Sequence, residues 1–310
     1  MSLDLSRLNR TRIVQGKEEH SVAPCLAIVL YSQLTLPDLA PALGEALERY
    51  LGFIPPGTLR SCWAGESMKK LSPQKIKRDL KVLGNMPRPT EEFYLLYSQG
   101  ENGAPGTHGV IIFADRFEED DGAMTNVLRL ELPPDSAEGD RLDTLLGFVR
   151  DVAGHFPYSV GSVGFGFSYH IFDRFARKQI NAMLPRYLGF DASSIYPRDF
   201  MKARTPTAAW INLFDRPTLQ QLGGPEALKQ AVPAAEVAVA GNGVMARAAN
   251  RPPVGDINVM APDVGLLPDL ARFTQPTRFR MPSLRWADEA EVDQWLARFD
   301  TLTSKSWDNR

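Results

Sequence analysis

Three consecutive strand patterns constrain the fold of this chain more than any other feature of its sequence. Residues 92–99 (EFYLLYSQ) are rich in aromatic side chains, residues 108–117 (HGVIIFADRF) are β-branched at their centre, and residues 125–133 (TNVLRLELP) alternate. Only short segments with turn chemistry, ENGAPG and EEDDG, separate them. Parallel neighbours need crossovers of a dozen or more residues. The spacing therefore predicts an α+β fold, built largely on antiparallel sheet with packed helices.

Helical patterns flank the three strands. Leucines at four-residue spacing between Leu39 and Leu51 share one face of a predicted helix, and Ser72 followed by Pro73 is a typical helix start. The second half repeats the theme, with an apolar strand predicted at 207–215 and a hairpin predicted at 236–249 around Gly-Asn-Gly.

The order of the elements predicts how the chain is organised. Residues 1–20 are polar and predict a flexible N-terminal arm. Residues 21–285 predict one main domain, with possible lobes at 21–156 and 157–285, because each half begins with an apolar strand followed by helices. Residues 286–310 predict a C-terminal amphipathic helix and a tail.

The composition excludes several functional classes. The formal net charge is −2, whereas a dedicated nucleic-acid binder carries a basic surplus. Two cysteines, Cys25 and Cys62, supply neither a four-cysteine zinc site nor a disulfide framework, and they fit a reducing compartment. The N-terminal residues lack the apolar region of a secretory signal, and the longest apolar run spans about half of what crossing a bilayer needs. The sequence predicts a cytoplasmic protein that binds neither membrane nor nucleic acid.

The sequence contains no recognised catalytic or cofactor-binding motif. It lacks the G-x-S-x-G elbow of hydrolases, the phosphate loop G-x-x-x-x-G-K-[ST], the zinc motif H-E-x-x-H and the EF-hand loop. The four histidines are scattered, with no second histidine or cysteine at ligand spacing. These observations predict a protein that is not an enzyme and uses neither a metal nor a cofactor.

A weaker signal keeps an enzymatic alternative open. His170 and Asp173 close the glycine-rich segment 158–170 and resemble a general base with its orienting carboxylate, and His155 lies upstream. Polar residues at a strand end are also common without catalysis, and glycines alternating with aromatic residues are typical of a packed strand. Asp256, in the turn Gly-Asp-Ile-Asn, is interpreted as structural, because aspartate side chains bond nearby backbone amides in turns.

The sharpest charge run consists of Glu118, Glu119, Asp120 and Asp121. Four adjacent carboxylates repel one another and must be solvated, so the run is either a solvated hairpin loop or a surface that faces a basic partner. Three further acidic residues follow soon after and extend the bias: Asp135, Glu138 and Asp140. A basic counterpart lies in residues 69–81. Separate poles of charge suit the steering of a protein partner better than catalysis.

Several longer segments together resemble a known family. They are the segment GHF to GFGF at 154–167, AAWINLFD at 208–215, LGGPEAL at 222–228, and a hairpin EVAVAGNGVMARAANRPPVGDIN that leads to LARFTQPTRFR. With a compatible N-terminal part, the resemblance spans roughly residues 22–280. The chain is similar to the TsiV-like family of bacterial type VI secretion immunity proteins.

The resemblance implies a function without catalysis. Members are associated with antibacterial nuclease effectors of the VRR-NUC type, and the family has no enzymatic residues to transfer to this chain. A nuclease that faces polyanionic DNA is ringed by Lys and Arg, so an inhibitor can occupy its site with carboxylates. The expected function is therefore to bind and neutralise a type VI nuclease toxin, with Glu118, Glu119, Asp120 and Asp121 as partner-binding residues. The alternatives are the enzyme around His155, His170 and Asp173, and a structural or adaptor component of a secretion apparatus.

Overall fold

A computed structural model of the chain was analysed. It describes residues 4–14, 16–86, 92–101, 104–115, 125–170, 173–191, 204–205, 207–259, 262–278 and 289–302. The acidic run Glu118–Asp121 lies outside the described residues. No helix in the described ranges is both long enough and apolar enough to cross a bilayer.

Twelve strands in the described residues form one mostly antiparallel sheet. They are β1 (Arg10–Val14), β2 (Lys17–Ser32), β3 (Ser61–Trp63), β4 (Met68–Lys70), β5 (Glu92–Ser98), β6 (Gly109–Asp115), β7 (Asn126–Leu132), β8 (Val160–Ser168), β9 (Phe190–Asp191), β10 (Ile211–Asp215), β11 (Glu236–Ala240) and β12 (Gly243–Arg247). Their order is β11-β12-β10-β8-β2-β7-β6-β5-β3-β4; β1 also pairs with β2, and β9 pairs with β8. The β8–β9 pair is parallel, and the other strand pairs are antiparallel.

Eight α-helices lie in the described residues. They are α1 (Leu36–Phe53), α2 (Pro73–Gly84), α3 (Arg141–His155), α4 (Arg174–Met183), α5 (Arg216–Gln221), α6 (Gly224–Ala231), α7 (Leu267–Thr274) and α8 (Glu289–Leu296). The predicted start of α2 is confirmed, because the Ser72 hydroxyl accepts a hydrogen bond from the Lys75 amide at 3.2 Å. The leucine stripe of α1 is buried, as its spacing predicted.

The helices divide between the two faces of the sheet. The first face carries Leu26, Ile28 and Leu30 of β2, and α1, α2 and α3 pack on it. The second face carries the alternate residues of β2, and α8 meets it through Leu296. At the β10–β12 end, α5, α6 and α7 pack on the second face around Phe214.

The predicted α+β class is confirmed, with two differences in detail. The halves 21–156 and 157–285 share one continuous sheet, joined where β2 pairs with β8. The similarity of the two lobes stays a prediction; in the sheet, β2 borders β7, the last strand of its own half, and β8 borders β10.

The N-terminal residues also differ from the predicted flexible arm. Residues 10–14 pair with the start of β2, and Arg12 of this hairpin contacts Asp173 at 2.6 Å. Polar composition did not reveal the hairpin, because its anchoring contact joins residues far apart in the chain. The boundaries 21–285 and 286–310 remain predictions.

Candidate functional site

Two acidic residues lie side by side at the end of the sheet where β6 ends. Asp115 ends β6 immediately before the undescribed residues 116–124, and Glu92 lies directly opposite it on β5. Like charges opposite each other in a sheet are unfavourable. The end of the sheet that carries the acidic run therefore already concentrates negative charge.

The other acidic residues do not join that surface. β7 begins at Asn126, next to the undescribed segment, and Asp135 follows its far end at Leu132. Seven strand residues span about 20 Å, so Asp135 lies far from the start of β7. Asp135 is also paired with Arg141 at 2.9 Å. Sequence proximity misled here because a strand carries the chain away from its starting point.

The predicted basic surface is present on β4 and α2. Lys69, Lys70, Lys77, Arg78 and Lys81 are exposed. Lys75 is instead held by Asp79, a buried residue whose carboxylate also accepts a hydrogen bond from the Tyr97 hydroxyl at 2.5 Å. This carboxylate anchors α2 to the sheet while the remaining cations face solvent.

The structure separates His155 from the other two residues of the enzymatic alternative, His170 and Asp173. His155 ends α3, just before β8 begins, and its ring nitrogen contacts the Asp151 carbonyl oxygen at 2.8 Å. His170 follows the other end of β8, whose nine residues span about 30 Å.

Asp173 has a local structural role. Its carboxylate accepts hydrogen bonds from the amides of Phe175 and Ala176, which caps α4, and it pairs with Arg12. Burial lowers the pKa of His170, an effect that Asp173 partly opposes. A capping carboxylate tied to an arginine explains the residue without catalysis.

The structural interpretation of Asp256 is confirmed. Arg186 donates to both of its carboxylate oxygens, at 2.8 and 3.0 Å, and Arg7 adds a contact at 3.1 Å. The hydrogen bond from Arg186 holds the pKa of Asp256 below its usual range. The carboxylate thus joins the N-terminal 3₁₀ helix, the segment after α4 and the turn at 255–258.

Sequence reasoning missed a buried ion pair at the centre of the sheet. Arg129 and Glu131 lie on β7 with side chains that are 1% and 6% exposed, and their Nε and Oε1 atoms are 2.8 Å apart. Arg129 also donates to the Phe167 carbonyl at 2.8 Å. In the sequence VLRLEL, charged residues at alternate positions are typical of a half-exposed strand, yet every residue of β7 is buried.

Burial and this pair affect the neighbouring groups. Burial opposes the charge of Arg129, but Glu131, Cys25 and Tyr169 together outweigh burial, and the pKa of Arg129 is raised. For the Cys25 thiol, which lies 3.6 Å from Arg129, burial raises the pKa. A Cβ at Gly109 would lie 2.7 Å from the Glu131 carboxylate, so only glycine fits there without a shift.

A small cavity lies beside this pair. Its lining includes Glu131, Ser168, His170, Tyr97 and Met68. Its volume of about 20 Å³ provides space for one water molecule. The cavity adjoins His170, whereas His155 lies beyond the other end of β8. Within the described ranges no cluster of three His, Cys, Asp or Glu side chains is arranged to hold a metal ion.

The described residues therefore form a sheet with a buried core, a basic surface on β4 and α2, and two adjacent carboxylates at the ends of β5 and β6. Comparison with known proteins agrees with that description. The model of the TsiV family, described as type VI immunity for VRR-NUC, matches residues 42–310. This range includes the C-terminal residues that the sequence resemblance had left out. No curated protein matches the chain significantly.

A solved structure also has a similar fold. The Pseudomonas aeruginosa T6SS protein PA0821 superposes with a TM-score of 0.80 and 19% sequence identity, over 96% of this chain and 89% of that one. At this identity the likeness establishes the fold alone.

Proposed function

The chain belongs to the TsiV family of type VI immunity proteins for VRR-NUC, and from that premise we propose that it binds a VRR-NUC effector and covers the surface through which this nuclease meets DNA. The family match over 42–310 carries the proposal. It confirms the resemblance seen in the sequence, and an immunity function needs no catalytic group.

Charge supports the proposed mode of binding. A nuclease surface that binds DNA is positive, because it must neutralise phosphates. The sheet end with Glu92 and Asp115, next to the run Glu118–Asp121, offers negative charge to such a surface. We propose that this run contributes to effector binding in the cytoplasm of the producing cell, where DNA is exposed to the toxin.

The direct test uses a VRR-NUC effector identified in the genome that encodes this chain. The full chain is mixed with the purified effector, and both complex formation and cleavage of double-stranded DNA are measured. The proposal requires a stable complex and loss of cleavage at equimolar protein. A chain that does not bind, or that binds while DNA is still cleaved, would overturn it.

The contribution of the acidic run is tested separately. Changing Glu118, Glu119, Asp120 and Asp121 to lysine should slow association with the effector steeply at low salt. The effect should shrink at high salt, where the Debye length falls to about 3 Å at 1 M. A matched control changes Asp135, Glu138 and Asp140, at the other end of β7. Equal rates and equal salt dependence in the four-residue variant would show that the run lies outside the interface.

The absence of a catalytic role is also a proposal. Combining His155→Ala, His170→Ala and Asp173→Asn removes the groups of the enzymatic alternative, and asparagine retains the capping oxygen of residue 173. A folded variant should inhibit the effector as well as the original chain does. Loss of inhibition in a variant with unchanged thermal unfolding and unchanged binding would favour the enzyme.

A further inference from the structure

The outer edge of β11 is an unpaired sheet edge in the described part of the chain. β11 is the last strand in the sheet order, and β12 separates it from β10. Hydrogen bonding on β12 fixes which backbone groups of β11 face outward. Ala248 directly follows β12, and its amide donates to the Trp210 carbonyl, next to β10, at 2.8 Å. The N–H and C=O groups of the even-numbered residues of β12 therefore point toward β10.

Because backbone groups alternate in direction along a strand, the N–H and C=O groups of the odd-numbered residues of β12 point toward β11. Gly243, Met245 and Arg247 pair there with Ala240, Ala238 and Glu236. The remaining two residues of β11, Val237 and Val239, direct their N–H and C=O groups away from the sheet. These groups form a short template for another strand.

The two ends of the sheet differ in how they are protected. β4, at the opposite end, has three residues and exposes Lys69 and Lys70, which is a common way to discourage edge pairing. β11 has five residues and exposes Val239 to 78%. Its one charged side chain, Glu236, is held by Arg247 of the neighbouring strand. Within the described residues, β11 therefore carries no unpaired charge that would repel a second strand.

We propose that β11 pairs antiparallel with β11 of a second copy of this chain. The sequence Glu-Val-Ala-Val-Ala is self-complementary when Ala238 lies opposite itself. Val237 then faces Val239 of the second copy, and the reverse pair forms by symmetry. These two pairs supply four backbone hydrogen bonds and cover the exposed valines.

The charges fit the same register. Glu236 lies opposite Ala240 of the second copy, so the two glutamates stay apart. A five-residue strand pair buries less than a standard interface, so the dimer should be weak and concentration-dependent. This inference does not depend on effector binding.

Sedimentation equilibrium of the full chain tests the proposal. The mass should rise from 34.4 kDa toward twice that value as concentration increases. Val239→Lys should abolish the rise, because it places a charge in the valine pair of each copy. Val82→Lys is the matched control, since Val82 is an exposed valine on α2 at 40%. Circular dichroism establishes that both variants fold.

A charge-exchange experiment guards against an indirect effect. An equimolar mixture of Val239→Lys and Val237→Glu should recover association that neither variant shows alone, because residue 239 of one copy lies opposite residue 237 of the other. A chain that stays monomeric at all concentrations would overturn the proposal. So would association that survives Val239→Lys, or that Val82→Lys abolishes equally. If Val239→Lys has the same mass as the original chain at every concentration but binds the effector more weakly, the edge of β11 binds the effector. The second copy is then the wrong occupant.

Discussion

The two halves of the sheet, β2–β7 and β8–β12, solve the problem of buried polar groups differently. The N-terminal half buries ionised side chains. Glu131 is paired with Arg129, and Asp79 accepts a hydrogen bond from Tyr97 and forms an ion pair with Lys75. In the C-terminal half, the strands bury neutral polar groups: Asn212 bonds to the backbone of Ala209. The buried carboxylate of Asp256 lies outside these strands and pairs with Arg186, which is 41% exposed.

The difference indicates which kind of change each half tolerates. A buried ion pair is balanced only while both partners are present, because the remaining charge would be left without solvent or counter-charge. The strands of the C-terminal half, β8 to β12, bury neutral side chains and depend on volume instead. The N-terminal half should therefore be sensitive to single changes of charge, and the C-terminal half to lost side-chain volume.

The largest expected effect is that of Arg129→Met, which leaves the Glu131 carboxylate buried and unpaired. We expect a loss of about 3–5 kcal/mol in the free energy of unfolding, measured by urea denaturation. The double variant Arg129→Met with Glu131→Leu should recover most of it. If the double variant is as unstable as the single one, the cost comes from packing and the contrast between the halves fails.

The matched change in the C-terminal half is Leu213→Ala. Leu213 is fully buried on β10, so the cavity should cost about 3 kcal/mol. This loss should be independent of salt and of pH between 6 and 8, because no ionised group changes. A salt-dependent loss would show that charge also stabilises this half.

Two tyrosines sharpen the comparison at a smaller scale. Tyr97→Phe removes a hydrogen bond to the carboxylate of Asp79 and should cost about 1.5–3 kcal/mol, because bonds to charged groups are the stronger ones. Tyr158→Phe removes a bond of 2.5 Å to the Ala240 carbonyl and should cost about 0.5–1.5 kcal/mol. Thermal unfolding of both variants measures the difference. The reverse order would contradict the assignment of ionised groups to the N-terminal half.

The smallest expected effect is a loss of folding stability at alkaline pH. Burial raises the pKa of Tyr97, and the hydrogen bond to Asp79 raises it further; burial also raises the pKa of Tyr158. A tyrosine whose pKa is higher in the folded state stabilises the fold at pH values below its pKa in the unfolded state, which is near 10. This stabilisation is lost as the pH rises above that value. Stability should therefore fall above about pH 10. The fall should be shallower in either phenylalanine variant, as urea titrations at pH 9, 10 and 11 can measure.

Much of the fold followed from local patterns. Strands β5, β6 and β7, the leucine face of α1 and the hairpin β11–β12 were predicted because periodicity and turn chemistry act over a few residues. The glycine-rich segment was correctly interpreted as a strand. A Cβ at Gly161 would come within 2.6 Å of Leu30, so the glycine allows the close approach of β2.

What the sequence concealed depends on distant neighbours. Arg129 and Glu131 look like solvent-facing positions of an alternating strand until the sheet supplies a second covered face. Asp135 seems near the start of β7 in the sequence but lies beyond the far end of that strand, and His155 seems near His170 until β8 intervenes. The patterns on single strands carry no information about which elements cover them.

The central strand β2 has a consequence for synthesis. It lies early in the chain, yet Leu26 pairs with Leu132 on one side and with Phe165 on the other. At about 5–20 residues per second, the ribosome needs roughly 5–30 seconds after making β2 before both neighbours exist. Until then the apolar run CLAIVLY has two open edges, and a product truncated before residue 160 keeps one of them. The central strand therefore gains its second neighbour only when more than half of the chain has been made.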